Sequence, residues 1–336
     1  MKPKSLNSLK AGTLAAALLA LAAASVRADV EDTITKSFKV QPGGQLVVQA
    51  DRSSIEVMTA ASEAVAIEIT RKASGSEAKA GQILKDHVVT MTQDGNQVMV
   101  QAAYKGGKLD GWFGFGNNLQ VKYRITVPRK FDVDLKTGGG SIKVSELTGK
   151  LQAQTSGGSL DLEKIEGPVS GSTSGGSIAV AGCKGNADLK TSGGSLHLSD
   201  IEGDVEARTS GGSIRAEKLT GKSVVKTSGG SIQVSGIKGQ IDANTSGGSI
   251  TASLSGQPTG DCFFKTSGGS VTVGLDEKVA VDIDAHTSAG RVSTDFPVAT
   301  LVQGEQKKDQ LRGKINGGGP LITAHTSAGS VHIRKQ

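Results

Sequence analysis

Two cysteines, five histidines and a recurring set of acidic and basic side chains are the groups of this 336-residue chain with the most obvious chemical potential. Cys183 and Cys262 could pair in an oxidising compartment. Both fall on inward positions of the repeat described below, four turns apart. That is ~19 Å along a stack of strands, against a Cα limit of about 7 Å for a disulfide. They are expected as buried, unpaired thiols that pack as small hydrophobes. Asp188/Lys190, Glu206/Arg208 and Asp242/Asn244 occupy outward positions of the same repeat, setting an acidic stripe beside a basic one of Lys190, Arg208 and Lys226. Clustered acids on such a face could supply the general acid and base of polysaccharide cleavage. Here each acid has a base two residues or one turn away, so cross-turn ion pairing on a solvated face is expected instead.

His286 and His325 share the context A-H-T-S-A-G but are separated by an interruption of the repeat. Neither H-x-x-x-H nor a Cys/His spacing occurs, so no metal site is expected. There is no G-x-S-x-G, P-loop or dinucleotide fingerprint. Serine and threonine are abundant, but without a nearby base they are poor nucleophiles. The expected inventory is therefore no catalytic residue, no cofactor and no metal, with a polysaccharide-active enzyme as the alternative.

Aromatic residues suggest a contact site. Of ten in the chain, Tyr104, Trp112, Phe113, Phe115 and Tyr123 lie in or beside Gly106–Asn118, G-G-K-L-D-G-W-F-G-F-G-N-N. Glycines between the rings argue against a regular strand. Trp112, Phe113 and Phe115 are candidates for partner contact, with Trp112 stacking on a sugar or anchoring in a protein or membrane surface. Alternatively, Trp112 and Phe113 fold back to plug the first turn of the stack. The sequence leaves both open.

The element that positions all of these is T-S-G-G-S followed by an aliphatic residue. Its opening threonines are Thr137, Thr155, Thr173, Thr191, Thr209, Thr227 and Thr245, 18 residues apart, followed by Thr266, Thr287 and Thr326. A fixed short period means one structural unit stacked on copies of itself. With each threonine as position 0, aliphatic residues recur at positions 5 and 7 (Leu160 and Leu162, Ile178 and Val180), at 10 (Ile165, Ile201, Leu219), and at 14 and 16 (Val205 and Ala207). Two-residue spacing is the strand signature. Each turn is thus two short strands, and the array is expected to be a parallel β-solenoid.

Glycine makes the corners: position 3 is Gly140, Gly158, Gly176, Gly194, Gly212, Gly230, Gly248 and Gly269, and later Gly290 and Gly329. Position 2 accepts Ala289 and Ala328, so position 3 is expected to need positive φ and position 2 not. A second glycine corner recurs at position 12. A left-handed hexapeptide helix is excluded because positions 11 and 17 are polar. Calcium is not implied, since no aspartate recurs at the nonapeptide offset.

Residues 1–28 have the form of a secretory signal peptide: Lys2, Lys4 and Lys10, an Ala/Leu core from Ala11 to Ala24, and Val26-Arg27-Ala28 before Asp29. The core is too short and alanine-rich for a membrane anchor, and the expected location is the periplasm, the medium or the cell surface. The chain has 38 basic and 32 acidic side chains. Four of the basic ones lie in this segment, so the remainder is nearly balanced and nucleic acid is not an expected partner.

Residues 29–130 carry a degenerate pattern: a strand around Val65, Ile67 and Ile69, a short helix over Glu77–Asp86, a hairpin signal at Asp94-Gly95, and a strand through Tyr123 halted by Pro128. They are expected as a β-rich N-terminal domain that covers the end of the solenoid over 131–336. An insertion near 296–310 is expected to loop outward.

Val40–Leu46 (V-Q-P-G-G-Q-L), Val127-Pro128-Arg129 and the T-S-G-G-S array together resemble the bacterial "putative adhesin" β-strand-repeat family, a domain family of unknown function, over most of 35–335. The resemblance implies a β-solenoid outside the cytoplasm and transfers no catalytic residue. The leading expectation is a non-catalytic scaffold that binds an envelope, glycan or protein partner; a purely structural envelope protein is a further reading.

Overall fold

The computed structural model describes residues 28–105, 119–300 and 308–336. The expected signal peptide, the Gly106–Asn118 loop with Trp112, Phe113 and Phe115, and the centre of the 296–310 insertion lie outside these residues. The described chain is all-β, with 27 strands in one hydrogen-bonded sheet and a single helix, Glu77–Asp86.

The 18-residue period is the register. Leu160–Glu166 lies parallel to Ile178–Lys184, with Leu160 beside Ile178 and Leu162 beside Val180, and Ile178–Lys184 lies parallel to Leu196–Glu202 in the same way. On the second face Ala187–Lys190 pairs with Val169–Ser172 and Val205–Arg208. Because partners occupy the same position of successive turns, aliphatic side chains form continuous inward columns: Ile142, Leu160, Ile178, Leu196, Ile214, Ile232 and Ile250 are all buried. One core runs through the whole stack, from Phe38 to Ile333.

Sequence order and spatial order part company at both ends. The strands Gly44–Ala50 and Ser53–Ala60 form a rung that lies between the rung of Gln97–Tyr104 and Leu119–Pro128 on one side and that of Phe131–Thr137 and Ile142–Ser145 on the other. At the other end, Leu321–Thr326 and Val331–Lys335 sit between Cys262–Lys265/Val271–Leu275 and Val281–Thr287/Val292–Thr294. The last segment of sequence is the penultimate rung in space.

Antiparallel strands cover both ends. Ala28–Lys39 pairs with Ala64–Gly75, which pairs with Leu119–Pro128; His87–Asp94 pairs with Gln97–Tyr104. At the far end Gln310–Ile315 pairs with Val281–Thr287. The parallel strands next to them are thereby paired, and at the N-terminal end the open edges pass to Ala28–Lys39 and His87–Asp94. The helix begins at Ser76, whose hydroxyl accepts from the Lys79 N–H, and packs Ala80, Ile83 and Leu84 against Ala73.

The position-3 glycines are corner residues, but positive φ is not the reason. None of them adopts it; the position-12 glycines do, with φ of 147° at Gly167 and 149° at Gly203. At position 3 a Cβ would overlap the backbone of the rung below: at Gly158 it would strike the Gly140 carbonyl, and at Gly212 that of Gly194. At position 2 the same atom would stand 3.5 Å from the neighbouring carbonyl at Gly211, which is why Ala289 and Ala328 fit.

A third special position has no glycine signature. Position 9 is left-handed at Glu146, Lys164, Asp200 and Lys218 (φ 53–62°), as it is at Gly182 and Gly236. Non-glycine residues are strained there by ~1–2 kcal/mol. Lys218→Gly should therefore raise stability by ~0.5–1 kcal/mol in chemical denaturation. The ion pair it removes, with Asp200 at 3.1 Å, is exposed and contributes little. A net loss would show that the turn relieves the strain by other means.

Candidate functional site

The repeated motif is the first place to look for a site, and its polar atoms are occupied by the fold. All ten opening threonines are buried. The Thr209 hydroxyl donates to the Gly194 carbonyl of the rung below at 2.8 Å and accepts the Gly212 N–H of its own turn at 3.3 Å. The same pair of bonds recurs at Thr173, Thr191, Thr227 and Thr245. At position 4 each serine hydroxyl accepts the backbone N–H of the next serine, at 3.2 Å from Ser141 to Ser159 and onward through Ser177, Ser195 and Ser213. The position-1 carbonyl accepts from the position-2 N–H of the next rung, as Ser192 does from Gly211 at 2.9 Å. Buried backbone groups at a tight corner need partners, and T-S-G-G-S supplies them.

The outer charged face is ion-paired, within one strand at Asp188–Lys190 and Glu206–Arg208 and across turns at Lys226–Asp242. Lys190 lies 3.0 Å from Asp188, Arg208 2.6 Å from Glu206 and Lys226 2.9 Å from Asp242. An open groove of about 490 Å³ runs along this flank, lined by Pro168, Asn186, Asp188, Asp204, Glu206 and Lys222 among others. Asp188 and Glu206 are paired as above, although Asp188 Oδ1 is buried without a hydrogen-bond partner, and Asp204 accepts the Lys222 backbone N–H at 2.9 Å. The hydrogen bond from Arg208, helped by Lys190 and Lys226, holds the Glu206 carboxyl below its ordinary range. That is the opposite of what a general acid requires.

Cys183 and Cys262 are unpaired and buried. Burial alone pushes the Cys183 thiol up to about 11, and burial also raises Cys262. A thiol reagent should label neither in the native protein and both after unfolding without reductant. Absence of labelling in the unfolded, non-reduced chain would mean a disulfide.

Two groupings were not legible in the sequence. Within the N-terminal antiparallel strands, Arg71 is buried, makes a two-point contact with Asp32 and donates to the Leu84 and His87 carbonyls at the helix end. Near it His87 is buried with neither ring nitrogen hydrogen-bonded, and the buried Ser53 and Tyr123 hydroxyls also lack a bond of ordinary geometry. Burial, then the Arg71 charge, depress the His87 pKa, against smaller opposing effects of Asp51 and Asp32. The unfolded imidazole titrates near 6.5. The folded state therefore binds the proton less readily, and stability present above about pH 6.5 falls as the pH drops toward the folded value. His87→Leu should flatten that part of the stability–pH curve; an unchanged slope would place the acid sensitivity elsewhere.

The second grouping is at the other end. The inserted rung sets His325 directly beside His286, with ring centres 6.1 Å apart and planes at 88°. The sequence had separated them by the interruption of the repeat. Among the described residues no group of three or more His, Cys, Asp or Glu side chains could hold a metal ion, and no helix is long and apolar enough to cross a membrane.

Comparison with known proteins agrees with the repeat. The model of the Toastrack DUF4097 family matches residues 44–334. No curated protein matches the chain. Similar solved structures include a "putative adhesin" from Parabacteroides merdae, 11% identical, covering 90% of this chain and 96% of that one at a TM-score of 0.39. Others are a "putative adhesin" from Bacteroides fragilis (14%, 91% and 97%, TM-score 0.31) and a "putative lipid binding protein" from Parabacteroides distasonis (14%, 91% and 97%, TM-score 0.33). At these scores they add nothing to the assignment, which rests on the family match and on the repeat that carries it: this chain belongs to the Toastrack DUF4097 family.

Proposed function

We propose that the protein is an exported, non-catalytic parallel β-solenoid, capped by residues 29–130, whose surface binds a glycan, polymer or protein of the cell envelope. One observation carries most of this reading. The recurring threonine and serine hydroxyls at positions 0 and 4, the obvious nucleophile candidates, are bonded into the stack, and Asp188, Glu206 and Asp242 on the flank are ion-paired. A rigid frame with its chemistry consumed internally leaves function to surface segments, as in other scaffolds that present binding loops.

Trp112, Phe113 and Phe115 remain the proposed contact residues. The purified chain is incubated with envelope fractions and with cell-wall and plant-type polysaccharides, and both bound material and new chain ends are measured. Binding without product supports the scaffold; product would establish the polysaccharide-active alternative. Trp112→Ala with Phe115→Ala should abolish binding at unchanged melting temperature. A fall of several degrees with binding retained would make the segment a plug and move the contact site elsewhere.

A further inference from the structure

The segment Ala28–Lys39 is a twelve-residue edge strand. It pairs antiparallel with Ala64–Gly75 over its whole length, without a bulge, and with no other strand among the described residues. In an antiparallel strand both main-chain groups of a residue point to one edge, and successive residues alternate. Val40, just past the strand, donates its N–H to the Glu63 carbonyl on the paired side. The Lys39 carbonyl faces the other way, where it accepts from Gln93 Nε2 at 2.6 Å. Asp29, Glu31, Thr33, Thr35 and Ser37 therefore turn their N–H and C=O groups to the open edge, and all five residues are exposed. Such an edge is a template for a further strand unless shortness, proline, a bulge or an inward-pointing charge blunts it. The first three are missing from Ala28–Lys39. The inward charge, Lys36, reaches across to the Met91 carbonyl at 3.0 Å and, standing off the plane of the sheet, leaves the ladder open.

The strand's own charges select the partner. Its first half carries Asp29, Glu31 and Asp32, its second Lys36 and Lys39, so an antiparallel copy of the same strand sets acid against base. Only residues that face the open edge can exchange ladder bonds, so a two-fold axis relating two copies passes through a single residue. With the axis at Ile34, Thr33 stands opposite Thr35, Asp32 opposite Lys36, Val30 opposite Phe38 and Asp29 opposite Lys39. With the axis at Thr35, Lys36 meets Ile34 and Asp32 meets Phe38; at Thr33, Lys36 meets Val30 and Asp32 meets Ile34. Opposite charges and apolar pairs are the favourable ones across a ladder, and only the first register provides both. We propose that the protein forms a two-fold dimer through Ala28–Lys39, paired antiparallel about Ile34, which joins the N-terminal ends of two stacks into one continuous sheet.

The experiment is sedimentation velocity on the purified protein, where a dimer is expected at about 100 µM chain. Thr35→Pro removes an N–H that faces the open edge and not the Ala64–Gly75 ladder, a place where edge strands accept proline. It should keep the wild-type circular dichroism and be monomeric. Lys39→Glu and Asp29→Lys should each weaken the dimer roughly 2–30-fold, the effect of two lost cross-strand charge pairs. The double variant Asp29→Lys/Lys39→Glu should recover the affinity. Positions 29 and 39 are ~33 Å apart along one extended strand, so recovery can pass only between copies. Ile34→Cys should cross-link two chains on mild oxidation, because the central pair is non-hydrogen-bonded with Cα atoms about 4.5 Å apart, within disulfide range. If Thr35→Pro does not fold, the charge exchange and the cross-link decide. A monomer at about 100 µM would overturn the proposal, as would a dimer that neither folded Thr35→Pro nor Lys39→Glu weakens.

Discussion

Gly212→Ala is expected to destabilise the protein by ~3 kcal/mol or more, while Gly211→Ala, one residue earlier, changes stability by less than ~1 kcal/mol. The substituent is the same methyl group and both sites are corners of one mid-stack turn. At Gly212 the Cβ overlaps the Gly194 carbonyl, and the Thr209 hydroxyl that binds this carbonyl and the Gly212 N–H holds the two rungs together. Close-packed backbone cannot retreat as a side-chain end would. At Gly211 the nearest atom is 3.5 Å away, ordinary van der Waals contact, and alanine restricts the unfolded chain in compensation. Urea denaturation of the two variants checks this. Equal midpoints would mean that the position-3 glycines are not placed against the rung below.

The second large effect belongs to the threonine. Thr209→Val keeps the volume and removes the buried hydroxyl, leaving the Gly194 carbonyl and Gly212 N–H without their partner at a partly buried corner. An unsatisfied buried group costs ~1–3 kcal/mol, and here two are left, so a loss of ~2–4 kcal/mol is expected. Thr209→Ser retains the hydroxyl and should cost ~1 kcal/mol, mainly for the missing methyl. If valine were tolerated as well as serine, the hydroxyl bridge would be incidental and the motif would need another explanation.

How much of this could be read beforehand follows from where the information resides. Inward columns such as Ile178, Leu196 and Ile214 announce themselves, because a two-residue alternation repeated every 18 residues fixes both strand and register. The corner glycines were equally visible, but not their reason. A glycine requirement looks the same whether φ or a neighbouring backbone excludes the Cβ, and only the rung below Gly158 or Gly212 distinguishes them. The left-handed position 9 was hidden because Lys164, Asp200 and Lys218 tolerate the strain there. Interleaving at the two ends was hidden for a deeper reason: parallel ladders are joined by backbone hydrogen bonds, which carry no residue identity. The His286–His325 pair depends wholly on that interleaving. The buried polar groups of His87, Tyr123 and Ser53 come from segments up to 70 residues apart with no repeat to align them.

Rung order underlies the columns, the corner contacts and the histidine pair, and disulfide trapping tests it most directly. In a background of Cys183→Ala and Cys262→Ala, Thr272→Cys with His332→Cys places the two sulfurs on adjacent rungs in register. Rungs ~4.8 Å apart fall within the Cα range of a disulfide, about 4.4–6.8 Å. Thr272→Cys with Ser293→Cys spans two rungs, because the segment Val331–Lys335 lies between them, and ~9.6 Å is too far. Mild oxidation should therefore cross-link the 272–332 pair rapidly and leave the 272–293 pair reduced. A 272–293 cross-link formed in native protein, with 272–332 unreactive, would mean that the turns stack in sequence order and would contradict the inserted rung.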